Sequence, residues 1–126
     1  MSDDGDTDGS DDDTDTAARE YDKLVRDGVP DLIRASGETP VTRTVEGAEL
    51  DRYLLDKLVE EAREAREAAD DPGESVDDEL ADLSAALDAL VGRRGRDEVD
   101  RRRRAKADER GEFDDGVVLE RVEQSP

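Results

Sequence analysis

Glu61 and Glu64 in the run KLVEEAREAREA, and Glu79 and Asp82 in the run DDELADLSAAL, repeat at i, i+3 spacing. At about 100° per residue, that spacing sets each pair on one side of a helix. On the first of these helices Leu50, Leu54, Leu58, Ala62, Ala65 and Ala69 gather in one arc, with Glu61 inside it and Glu64 at its edge. Glu60 and Glu67 project about a quarter turn further out, with Arg63 and Asp56, as solvated residues. On the second helix Leu80, Leu83, Leu87, Leu90 and Val91 form the arc, and Glu79 and Asp82 line its margin. If the arcs pack together, four carboxylates converge beside a core and need a compensating cation. All-oxygen ligation favours a hard ion, Mg²⁺ or Mn²⁺. The bland alternative is an acidic, solvated helix face, because charged residues make up 46% of the chain and acids outnumber bases 39 to 19. The phasing of Glu61 into the apolar arc favours the metal.

Turn and cap signals define the elements that position these residues. Pro30 fits the first turn of a short helix within Tyr21 to Ser36, closed by Gly37, and Glu38 to Thr44 is extended or looped around Pro40. The next helix spans about Glu46 to Asp70 and stops at Asp71-Pro72-Gly73. Ser75 caps a third helix that ends near Gly92, and a fourth covers about Arg96 to Arg110 before Gly111. The apolar run Val117 to Leu119, within Phe113 to Glu120, is expected to fold back onto the domain. The organisation is therefore all-α: an acidic tail over 1–19, a helical domain of about four helices over 20–120, and a C-terminal tail over 121–126. With one Phe, two Tyr and no Trp, the core is thin. Ordering ~100 residues costs about as much as such burial returns, so a homodimer or higher homo-oligomer is expected to complete the bundle.

Composition excludes several chemistries. No cysteine means no disulfide, thiolate nucleophile or Cys-ligated metal, and no histidine removes the usual general base and zinc ligand. The net charge is −20; eight Asp and one Arg give −7 in residues 1–19, leaving −13 on the rest. Such a surface repels nucleic acid backbone and anionic membrane, so neither is an expected partner. The basic cluster Arg101 to Arg104, with Arg93, Arg94 and Arg96 upstream, is interleaved with acids and reads as salt bridging on a helix face. Excess acid and few lysines fit a salt-rich cytoplasm, where charge is screened within roughly 3 Å at 1 M salt. No apolar stretch nears the ~20 residues of a membrane span, and the acidic N-terminus lacks an apolar leader, so a cytoplasmic location is expected.

Tyr21-Asp22-Lys23-Leu24-Val25-Arg26-Asp27-Gly28-Val29-Pro30-Asp31-Leu32-Ile33 resembles the KLVRDKIPEII opening of a MazG-like family of all-α nucleoside triphosphate pyrophosphohydrolases, related to phosphoribosyl-ATP pyrophosphohydrolase. Glu60-Glu61-Ala62-Arg63-Glu64 with Glu79-Leu80-Ala81-Asp82 is similar to the family's EExxE and ExxD metal motif. Lys106 to Phe113, then Gly116 to Glu120, is similar to its KKAEERGGF and GIVLE ending. The likeness covers about residues 21–120, and departs from the family at Gly28, commonly Lys, and Glu112, commonly Gly.

The resemblance implies a MazG-like bundle that hydrolyses a nucleoside triphosphate between the α- and β-phosphates, giving the monophosphate and pyrophosphate. Glu61, Glu64, Glu79 and Asp82 would hold Mg²⁺ or Mn²⁺, with Glu60 or hydroxide on the metal as base. Lys23, Arg26, Lys106 and Arg110 would neutralise phosphate charge, and Asp27 would orient Arg26. Nucleotide-pool cleansing is the expected role; phosphoribosyl-ATP hydrolysis, or a non-catalytic acidic helical module, are the alternatives. In a chain with sixteen arginines, two of the three lysines, Lys23 and Lys106, lie in these motifs. The third, Lys57, falls on the same side of its helix as Glu61 and Glu64, where a compact ammonium suits a phosphate or a carboxylate.

Overall fold

The computed structural model describes residues 19–124, and every regular element among them is helical. The expected acidic tail lies outside the described residues except for Arg19, whose guanidinium pairs with Glu38 at 3.0 Å. The chain divides into two compact units, the first ending at Thr42 and the second beginning at Arg43.

The first unit carries α1 (Val29–Ala35), with Pro30 in its first turn, where a missing N–H costs nothing. Arg34 pairs with Asp31 one turn back at 2.7 Å, and Gly37 ends the element at φ +95°, a conformation that favours glycine. Leu24, Val29, Pro30, Ile33 and Pro40 are half-buried in this unit.

The second unit is built on α2 (Gly47–Ala69) and α3 (Val76–Arg94), joined by a turn in which Asp71 accepts the Gly73 N–H at 2.9 Å. Ser75 accepts the Asp78 N–H at 3.2 Å, and three acids follow in the first turn of α3. Both favour the positive end of the helix dipole. The two helices run antiparallel, because Arg93 near the end of α3 reaches Asp51 near the start of α2 at 2.6 Å, while Glu61 meets Glu79 and Asp82 further along. α4 (Arg96–Arg110) follows at Gly95, whose φ of +110° turns the chain out of α3. Among the described helices it packs on α3, and Arg96 secures the corner through Asp88 at 2.7 Å.

Burial follows a seam rather than the arcs drawn from the sequence. On α2 the buried and half-buried residues include Leu50, Leu54, Lys57, Leu58, Glu60, Glu61, Glu64, Ala65 and Ala68, and on α3 they include Glu79, Asp82, Leu83, Ala86, Leu90 and Val91. The fully buried ones on α2, Leu54, Glu61 and Ala68, are seven residues apart, two helical turns, the spacing of a helix pair in close contact. Ala62 and Ala69, expected inside, are exposed, and Ala68 is buried in their place. Leu80 and Leu87, expected in the packed arc of α3, are about half exposed at 46% and 49%. The physical reason is that one neighbouring helix selects a stripe narrower than the full apolar arc.

A further expectation is overturned. The C-terminal run does not fold back: Phe113, Val117, Val118, Leu119 and Val122 are all exposed. The helix leading into it, α4, has only Val99, Ala105 and Ala107 as apolar side chains and buries none of its residues, so it offers no apolar face to receive the run.

Candidate metal centre

Glu61 is the only buried charged residue among those described, with 4% of its surface exposed. Its burial is dictated by register. Seven residues beyond Leu54 and seven before Ala68, it occupies the middle of the α2 stripe that faces α3. A carboxylate there loses its water and needs partners. One oxygen has one: Oε2 lies 3.2 Å from the Lys57 ammonium, one turn earlier on the same helix. The other, Oε1, is buried with no hydrogen-bond partner.

Across the seam stand Glu79 and Asp82, also one turn apart and both half-buried. Each of Glu61, Glu79 and Asp82 offers an oxygen within 4.8 Å of the others. Oxygens at about 2.1 Å around an octahedral Mg²⁺ lie up to about 4.2 Å apart, so small side-chain rotations would close the triad on such an ion. The donor set is oxygen only, which suits a hard divalent cation, and the orphaned Oε1 of Glu61 supplies the unmet need for one. The residues present fit the ion.

Glu64 stands next to the triad and is half-buried. Its carboxyl is raised from 4.5 to about 7, chiefly by burial, then by the negative charges of Glu61 and Glu60; when protonated it hydrogen-bonds toward Glu61 and Glu79, and with Glu64 ionised Oε1 of Glu61 has no partner. The free site therefore carries more negative charge than its surroundings compensate, and relieves some of it by holding a proton near neutral pH.

Of the residues singled out in the sequence, the fold brings together Lys57, Glu60, Glu61, Glu64, Glu79 and Asp82. Glu60 is not the solvated residue that its angular position predicted: it is half-buried, and the Lys57 ammonium lies 3.6 Å from it as well as near Glu61. Lys106 and Arg110 are exposed on α4, where Arg110 lies 3.7 Å from its neighbour Glu109. No ion pair joins either of them to the carboxylates among the described residues. Lys23, Arg26 and Asp27 are exposed in the first unit, with the Lys23 ammonium 5.6 Å from the centre of the Tyr21 ring. Part of the basic cluster forms salt bridges, along α4 and also between helices. Glu98 pairs with Arg101 and Arg102, Asp88 with Arg96, and Asp51 with Arg93 and Arg94. The role of Asp51, which ties the start of α2 to the end of α3, has no distinguishing signal in the sequence, since Glu49 flanks Leu50 on the other side.

No protein-family model matches the chain, and no solved structure matches it. A protein of Mycolicibacterium smegmatis (strain ATCC 700084 / mc(2)155), described only as uncharacterized, is 54% identical to it over 46 residues. Those residues make up 36% of this chain and 47% of that protein, so the chain spans about half the length of the relative it matches.

Proposed function

We propose that this chain is a Mg²⁺-dependent nucleoside triphosphate pyrophosphohydrolase that releases a monophosphate and pyrophosphate and serves to cleanse the nucleotide pool. One observation carries the reading: Glu61 is buried in the α2–α3 seam with Oε1 unpartnered, facing Glu79 and Asp82. A merely acidic surface has no reason to bury a carboxylate and leave half of it unsatisfied.

In this reading Glu61, Glu79 and Asp82 hold the ion and Glu64 completes the set once its proton leaves. Mg²⁺ bound there supplies charge neutralisation at the α- and β-phosphates and acidifies water. Glu60, which shares the Lys57 ammonium with Glu61, is assigned the role of base toward the attacking water, and no histidine competes for that task. Lys23, Arg26, Lys106 and Arg110 are assigned to phosphate charge and Asp27 to the orientation of Arg26, all from the family resemblance. The protein works as a homodimer: Leu55 and Val59 on α2 and Leu80 and Leu87 on α3 are each about half exposed, an apolar surface that a second copy would cover.

The test is pyrophosphate release from a panel of canonical and modified nucleoside triphosphates, with Mg²⁺ or Mn²⁺ against EDTA, in molar KCl. Metal-dependent release with matching monophosphate is expected. A folded, helical sample without turnover on any of them refutes the proposal.

A further inference from the structure

Lys57 puts a cation into the carboxylate cluster, and its position is set by helix geometry rather than by a flexible loop. Its ammonium lies 3.2 Å from Glu61 and 3.6 Å from Glu60, residues one turn ahead of it at i+4 and i+3. The side chain is 23% exposed, so it is held against the cluster and only partly screened by water. It satisfies Oε2 of Glu61 and leaves Oε1 unpartnered. The ammonium thus serves Glu60 and one oxygen of Glu61, and the second oxygen of Glu61 stays unmet. A divalent ion taking Oε1 at about 2.1 Å would stand within about 7.5 Å of the ammonium, and the two like charges oppose each other across a half-buried space.

We infer that Lys57 is a placeholder cation: it occupies the ion's electrostatic position in the free protein, holds affinity for the bare ion low, and makes the ion enter together with a polyphosphate. The inference rests on the metal reading above and adds the order of assembly to it. The negative charge of a polyphosphate offsets the repulsion, and an ammonium on a four-carbon stem can leave Glu61 for a phosphate oxygen without losing a charged partner. Binding of the ion without phosphates keeps the ammonium unfavourably close.

The experiment measures Mn²⁺ binding to the full chain by titration calorimetry and by the spin-resonance signal of free Mn²⁺. Wild type, Lys57→Met, Lys57→Arg and Glu61→Gln are compared, each checked for helical content by circular dichroism. With Mn²⁺ alone, Lys57→Met should bind at least about tenfold tighter than wild type, and Lys57→Arg, which keeps the charge, should stay near wild type. A non-hydrolysable α,β-methylene nucleoside triphosphate should tighten Mn²⁺ binding more in wild type than in Lys57→Met. Should Lys57→Met lose its helical content, Lys57→Gln takes its place. Binding that is unchanged or weaker in the neutral variants, while Glu61→Gln still abolishes it, overturns the placeholder and leaves the metal site standing. Equal binding by Glu61→Gln and wild type overturns both.

Discussion

The α2–α3 seam and α4 are both crowded with charge, yet they use it in opposite ways. On α4, Glu98 pairs with Arg101 and Arg102 on an exposed face, and no residue of the helix is buried. Each charge there keeps its water, so pairing contributes little and creates no unmet need. In the seam, Glu61 has lost its water to the facing helix and found one partner, Lys57, for two oxygens. The number of acids is similar in kind; the difference is burial, and burial turns an acidic helix into a candidate site. The two faces of the seam are also unequal: α2 brings both the cation and the buried acid, whereas α3 brings two half-buried acids.

The largest effect should come from the apolar part of the seam. Leu54 is buried at 5% exposure one heptad before Glu61, and the unit has few other side chains to absorb a cavity. Leu54→Ala should cost about 3 kcal/mol by denaturant unfolding. The same truncation at Leu80, 46% exposed on α3, should cost less than half as much unless a second copy covers that face. Repeating both measurements at low and high protein concentration would therefore also test the proposed homodimer.

Next in size is Glu61→Gln, which keeps the shape and removes the charge. Metal-dependent pyrophosphate release should fall by roughly two orders of magnitude or more. The metal-free fold should keep its helical content, because the variant no longer buries an incompletely paired carboxylate. A loss of turnover below tenfold would reduce Glu61 to a structural residue and bring the seam closer to α4 in character.

Glu64 sharpens the comparison through pH, because its folded value of about 7 stands above the ordinary 4.5. Below about pH 4.5 the group is protonated whether the chain is folded or not and adds no pH dependence. Between about 4.5 and 7 the folded state binds more proton than the unfolded one, so this group lowers stability as pH rises, with the full loss reached above 7. Glu64→Gln should remove that downward slope from thermal melts in EDTA. Mg²⁺ has to displace the same proton, so its affinity should rise by up to about tenfold per pH unit between 5 and 7 and level off above.

Much of this was legible in the chain because the signals were local. Pro30, Asp71-Pro72-Gly73, Ser75 and Gly111 mark helix ends through backbone chemistry that does not depend on neighbours, and the helices end within a residue or two of those marks. Ser75 caps α3 through its own side chain. The i, i+3 spacing put Glu61 on the apolar face, where it is found buried. What the sequence misplaced depends on partners. Ala62 and Ala69 satisfy the helical period as well as Ala68 does, and only the position of α3 decides which of them is covered. Glu60 was expected in solvent because angle alone ignores the long stem of Lys57, which reaches both glutamates. The run from Phe113 to Val122 is apolar enough to be buried, but α4 presents no surface to bury it against. Periodicity says which face is apolar; it does not say what will meet that face.

The smallest effect is expected on α4, where Glu98→Gln breaks two exposed ion pairs at once. Because both arginines stay solvated, the cost should be about 0.5 kcal/mol or less, and it should shrink further as salt is raised toward 1 M. Turnover should stay within twofold of wild type, since among the described residues Glu98 forms ion pairs with Arg101 and Arg102 on its own helix. That near-silence is informative beside Glu61→Gln: the chemical change is the same, glutamate to glutamine on an acidic helix, and only the loss of water at Glu61 separates them. A loss of turnover at Glu98 comparable to that at Glu61 would mean that α4 takes part in the reaction through contacts the isolated chain does not make, and that the contrast between paired surface charge and a buried acid does not locate the site.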